Sequence, residues 1–179
     1  IIEKLSGKHN VLCTSREYNE VTKLAKIRHF DLIFVGKHGG GDKKSKLEAS
    51  IERIEKLSKK INEFEPDLVI SFGSPEAARI SFGLGIKHVM FCDSPWASAV
   101  MRLTLPLIQK LLIPHIISKK DFSKYGINEK NIIQYKAIDA SVTIKRKVNE
   151  NVKLPFKNKN KKNILIRVEE EQASYAQKS

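Results

Sequence analysis

The chain has only two cysteines, Cys13 and Cys92, set in separate apolar runs with no CxxC pair. That excludes a disulfide framework and a thiol-rich zinc site, and both read as small buried hydrophobes of a reducing compartment. No cluster of His, Cys, Asp and Glu has metal-ligand spacing, so no bound metal is expected. Neither a GxGxxG fingerprint nor a Walker sequence is present, and no cofactor is expected. "SFGS" at 71–74 is not a GxSxG elbow, which argues against a serine hydrolase. No apolar run approaches the roughly 20 residues of a membrane span. No basic, then apolar, then small-residue signal segment opens the chain, so the expected address is cytoplasmic.

What is abundant is positive charge. The formal net charge is +13, with 30% charged and 41% hydrophobic residues over 179 positions, a composition that supports a folded core. Residues 141–162 carry eight Lys and Arg against Glu150 alone, so +7 of the +13 lies in 22 residues. Pro155 and the alternating "FKNKNKKN" in this segment predict a solvated linker. Contact with a polyanion or an anionic membrane surface is the alternative for it. Aromatic residues are not interleaved with the basic ones, so specific nucleic-acid readout is not expected.

Short apolar runs alternate with helical patterns along the rest of the chain. Residues 1–5 predict the end of a helix stopped at Gly7, and Val11–Thr14 a strand. Ser15 is placed to cap a helix running to about Arg28. "DLIFVG" at 31–36 predicts a strand, followed by the glycine-rich "KHGGGDKKS". Leu47, Ile51, Ile54, Leu57, Ile61 and Phe64 recur at spacings of three and four, one face of a long amphipathic helix. "LVISF" and "HVMFC" predict strands, each followed by a helix opening at Ser74–Pro75 and at Asp93–Ser94–Pro95. "KLLIP" and "NIIQY" predict two more strands, with a small helix around Lys119–Tyr125 between them. "NILIRV" at 163–168 predicts another.

Strands joined by helices on short connections make a parallel sheet with helices on both faces. The predicted class is α/β, doubly wound and Rossmann-like. Such a unit normally starts with a central strand, whereas here the chain starts within a helix, so its first strand is expected to be missing. The expected organisation is an incomplete N-terminal domain at 1–140, the basic linker at 141–162, and the first strand of a second domain at 163–179.

"TSREYNEV", "VGKHGG", "SFGSPEAARISFGLGI" and "FCDSPWA" resemble a mainly archaeal family, domain-of-unknown-function family 354. "RLTLPL", "YGINEKNIIQYKAID" and "ILIRVEEEQASYA" continue the resemblance in the same order. It implies a two-domain glycosyltransferase-B architecture, related to nucleotide-sugar glycosyltransferases and the UDP-N-acetylglucosamine 2-epimerases. In that architecture the first domain carries much of the acceptor side, and chemistry occurs in the cleft between domains. The implied partners are a UDP-type nucleotide sugar and an unknown acceptor. Sugar-nucleotide 2-epimerisation is the second reading, and a non-catalytic basic module for polyanions or anionic membrane is the third.

The candidate site residues lie where strands end, the edge at which open α/β sheets bind ligands. His38, beside Gly39 and Gly40, is a candidate acid or base, and the glycines allow close backbone approach. Gly73 and Ser74 occupy the next strand-to-helix turn, where Ser74 also predicts an N-cap. Asp93 is the second catalytic candidate, able to bind a sugar hydroxyl or accept its proton, with Ser94 beside it. Helix capping by Asp93 is the alternative reading. Arg16 and Arg167 follow strand ends and are candidates for anionic groups. Arg79 and Arg102 fall within helices, where pairing with surface acids is expected. His88 and His115 read as structural.

Overall fold

The computed structural model describes residues 2–138 together with 141, 162, 164 and 166. Nearly all of the basic linker, the predicted strand at 163–168 and Arg167 lie outside the described residues.

Among the described residues six α-helices and six strands alternate: α1 (Ile2–Leu5), β1 (Thr14–Glu17), α2 (Asn19–Arg28), β2 (Ile33–Lys37), α3 (Lys43–Phe64), β3 (Leu68–Phe72), α4 (Pro75–Gly83), β4 (Lys87–Phe91), α5 (Ser98–Thr104), β5 (Lys110–Pro114), α6 (Lys120–Ser123) and β6 (Ile132–Tyr135). All pairings are parallel. β1 pairs with β2, and β3, β4, β5 and β6 form a four-stranded sheet in that order. This is the predicted Rossmann-like α/β class, with the sheet in two pieces. Among the described residues, β1 and β3 each have a partner on one edge only.

The larger core forms where β4, β5 and β6 meet α4 and α5. Met90, Met101, Leu105, Leu111, Ile113, Phe122 and Ile132 are almost fully buried there. A second cluster joins the two sheet pieces: Val35 of β2 packs with Leu57 and Ile61 of α3 and Ile80 of α4. Burying a side chain of this size contributes about 1.5–3 kcal/mol, so the second cluster favours keeping β1–β2 beside the larger sheet.

β3 shows what this leaves open. Side chains alternate across a strand, and Ser71 faces α4. Leu68, Ile70 and Phe72 point to the other face, where they remain 44%, 40% and 58% exposed.

Several local expectations are corrected. The first strand is Thr14–Glu17, not Val11–Thr14. Register decides this: Thr14 and Ser15 stand opposite Ile33 and Phe34, while Val11–Cys13 precede the pairing. Ser15 is therefore a strand residue and not a cap; α2 starts after Tyr18, which caps it with no side-chain bond. α3 begins at Lys43, capped by Asp42, whose side chain accepts from the Ser45 N–H at 2.9 Å. Its apolar stripe is buried only in its second half, since Leu47 and Ile51 are exposed while Leu57 and Ile61 are not. α5 begins at Ser98, four residues beyond Ser94, so Asp93 does not cap it. Cys92 is buried as expected, but Cys13 is only half-buried.

Candidate functional site

The turn from β2 to α3 is fixed by close packing. Gly39 lies against the first turn of α3, where an added Cβ would fall 2.5 Å from the Ser45 carbonyl oxygen and 2.7 Å from the Lys46 Cα. Only glycine fits, so its role here is backbone contact. Gly40 then takes φ +73°, and its N–H donates to His38 Nδ1 at 3.1 Å. With Nδ1 accepting, the neutral imidazole carries its proton on Nε2 and offers an N–H outward. The His38 ring also meets Tyr18, just past β1, with centroids 5.3 Å apart. The ends of β1 and β2 are thereby joined.

Arg16 on β1 reaches Glu76 in the first turn of α4, Nη2 to Oε2 at 3.4 Å. Glu76 is 3% exposed and receives two further hydrogen bonds, from Ser50 Oγ at 2.9 Å and from Ser74 Oγ at 3.1 Å. Burial works to raise its pKa, but the Arg16 guanidinium, its own backbone N–H and the two hydroxyls outweigh it. The carboxyl ends below its ordinary value. Ser74 also accepts from the Ala77 N–H at 3.2 Å, so it caps α4 as predicted while bonding the carboxylate. Gly73 before it takes φ +56° and has open space at its Cα.

Arg53 on α3 stands behind this pair. The β1–β2 register shifts between Ser15 and Glu17, and Gly36 adopts φ +72° against the Arg53 Cβ. The irregular pairing leaves the Val35 carbonyl to the Arg53 guanidinium, which donates to it. Arg53 is 6% exposed and its Nε has no partner among the described residues. Burial depresses its pKa; Glu76 opposes that and Arg16 reinforces it. Both guanidinium groups thus act on one buried carboxylate, Arg16 as its ion-pair partner and Arg53 through its charge alone.

At the end of β4, Asp93 is half-buried and its Oδ1 accepts from the Ser94 hydroxyl at 2.7 Å. The Ser94 N–H is directed to Cys92 Sγ at 3.5 Å. Tyr125 closes this loop from the far side, its hydroxyl donating to the Pro95 carbonyl at 3.2 Å. The carboxylate is therefore held at a strand end with its second oxygen uncommitted in these bonds.

Of the predicted residues, Arg16 and Ser74 meet through Glu76, and His38, Gly39 and Gly40 form one built turn. Gly73, Asp93 and Ser94 occupy the following strand ends, and among the described residues no side-chain hydrogen bond links Asp93 or Ser94 to the first group. Arg79 and Arg102 are exposed on α4 and α5, with no ion pair among the described residues. His88 is structural: Ser71 and Ser81 bond its two ring nitrogens at 2.8 and 2.9 Å. Burial pushes its pKa down to about 4. Sequence reasoning missed Arg53 and Glu76 as buried charges. The only available signal was an Arg at a core-facing step of a helix and a Glu two residues after a cap. No group of three metal-ligating side chains occurs among the described residues, and no helix of theirs is long and apolar enough to cross a membrane.

Over 115 residues the chain is 32% identical to the uncharacterized protein MJ0665 of Methanocaldococcus jannaschii, an archaeon. The match covers 64% of this chain and 33% of that protein, so the chain spans about a third of the length of the curated relative it matches. The family signature runs the whole length of the sequence, and the chain belongs to the family described as protein of unknown function DUF354, matched over residues 1–179.

Proposed function

We propose that this chain is the acceptor-side domain of a nucleotide-sugar-dependent glycosyl transfer protein. The observation that carries the reading is the joining of three strand ends into one polar edge. Tyr18 and His38 meet in ring contact, and Arg16 is locked to the cap of α4 through Glu76 and Ser74. Ligands of open α/β sheets bind at this edge, and the partly exposed Arg16 guanidinium is the cation it offers to a diphosphate.

Within that reading, Asp93 is the general base for the acceptor hydroxyl, because its carboxylate has an oxygen free to receive the proton. His38 supplies the outward Nε2–H to an oxygen of the donor, and Gly39, Gly40, Gly73 and Ser94 shape the floor. Arg167 is a further candidate for the donor's anionic group, and most of the other nucleotide-sugar contacts are assigned to the remainder of the full-length protein. The open edges of β1 and β3 support one more strand of the same polypeptide between them, completing a single sheet. Replacing Asp93→Asn in the full-length protein should leave binding of a UDP-sugar within about twofold and reduce transfer at least 100-fold. Transfer undiminished in that variant would remove Asp93 from the mechanism.

A further inference from the structure

A cleft of about 530 Å³ opens between α5 and the segment after α6, lined by Ser98, Arg102, Pro106, Lys124 and Tyr125. None of the five is acidic. Two walls carry the charge. Ser98 and Arg102 are one helical turn apart on α5, so they share a face. Lys124 and Tyr125 follow α6.

The walls are fixed relative to one another by two contacts. Gly126 takes φ +99° and packs on Pro106 so closely that an added Cβ would lie 3.2 Å from its Cγ. The Tyr125 hydroxyl is committed to the Pro95 carbonyl, which holds the ring in place as an apolar wall. The Lys124 ammonium sits 5.2 Å from the centroid of that ring, a contact that positions the charge and does not neutralise it. Arg102 and Lys124 make no ion pair among the described residues. An unpaired guanidinium with its planar fork, an ammonium and a hydroxyl, facing a ring, are the groups that hold a phosphate monoester on a small hydroxylated molecule.

We infer that this cleft is a phosphate-monoester site, separate from the Arg16–Glu76 cluster. It requires no transfer reaction, so its test is by binding alone. The full-length protein is titrated with inorganic phosphate, a hexose phosphate and UDP, following the backbone amide signals of residues 98–102 and 124–126. The expected result is saturable shifts there, tighter for the hexose phosphate than for inorganic phosphate. Arg102→Gln with Lys124→Gln should weaken that binding at least tenfold, and Arg102→Lys by an intermediate factor because it keeps the charge and loses the fork. Lys56→Gln with Lys59→Gln on the exposed face of α3 serves as the charge-matched control, expected to change it less than twofold.

Three outcomes would overturn the assignment. One is equal weakening by the control pair, which would mean general attraction to a basic protein. Another is the absence of shifts at 98–102 and 124–126. The third is preference for UDP over both monoesters, which would assign the cleft to a nucleotide instead.

Discussion

Arg16 and Glu76, 60 positions apart in sequence, meet at 3.4 Å, and their pairing ties the β1–α2–β2 unit of two parallel strands to the helix that follows β3. The two partners are unequal. The Arg16 side chain is 40% exposed and Glu76 only 4%, so water screens one end while the other depends on its bonds. Removing each should therefore cost different amounts. Glu76→Ala leaves the buried Arg53 charge without its opposing carboxylate and should destabilise by about 3 kcal/mol. Arg16→Ala takes the ion-pair partner from the buried carboxylate but leaves it the Ser50 and Ser74 hydroxyls, and should cost less, about 1–2 kcal/mol. Urea denaturation of the two variants checks the order; an Arg16 variant costing more than the Glu76 variant would contradict this account of the site.

His88 sets a pH dependence. Its folded pKa is about 4 against an ordinary value near 6.5. The unfolded chain therefore binds a proton that the folded chain refuses between these values. Stability should be unaffected by this group above about pH 6.5 and fall as pH drops toward 4, by up to about 3 kcal/mol. Glu76, with its pKa lowered, acts in a lower window: its contribution is complete above the ordinary carboxylate range and disappears only as pH falls through its folded value. Urea midpoints between pH 7 and 4.5 should slope in the native sequence and flatten in His88→Gln. An equal slope in both would remove His88 as the cause.

Gly39 is the tightest point of the candidate edge. Gly39→Ala places a methyl group on the backbone of Ser45 and Lys46, and neither can move without unwinding the first turn of α3. The expected cost is about 1–3 kcal/mol, with loss of the ring contact between Tyr18 and His38. Gly41, which has open space around it, should accept alanine with less than about 0.5 kcal/mol of change. Thermal melts of the pair, and the aromatic proton contacts of His38, distinguish the two.

The open edge of β3 gives a fourth expectation. If a parallel strand of the full-length protein lies between β1 and β3, about half of the Leu68–Phe72 amides gain a partner. They should exchange with deuterium at least tenfold more slowly in the full-length protein than in the 179-residue chain. The exposed Leu68, Ile70 and Phe72 face should change in parallel. Equal exchange in the two forms would rule that strand out.

What the sequence disclosed follows from the range of the interactions involved. α4 was legible because Ser74 and Pro75 carry their own instructions: a hydroxyl for a free N–H and a ring that fits the first turn. β3, β4, β5 and β6 were legible as continuous apolar runs between turn residues. β1 was misplaced by three residues because its boundaries depend on register with Ile33 and Phe34, which no local pattern encodes. Arg53 was illegible for a similar reason. Its place in the core exists only because the irregular pairing at Gly36 leaves the Val35 carbonyl seeking a donor. Asp93 misled in the opposite sense: Asp–Ser–Pro carries a helix-start pattern, yet α5 waits until Ser98. In the site, the strand-end residues could be read from position alone, while the carboxylate that organises them, Glu76, stands in the first turn of α4, where an acidic residue is unremarkable on local grounds.

The central claim is transfer from a nucleotide sugar. The measurement that tests it most directly is incubation of the full-length protein with a panel of UDP-sugars and hydroxyl-bearing acceptors, some phosphorylated, reading UDP release and its dependence on acceptor. The account predicts release that needs an acceptor and is lost in Asp93→Asn. Conversion of a UDP-sugar to its epimer without acceptor would replace transfer by epimerisation. Neither binding nor turnover of any donor across the panel would contradict the account.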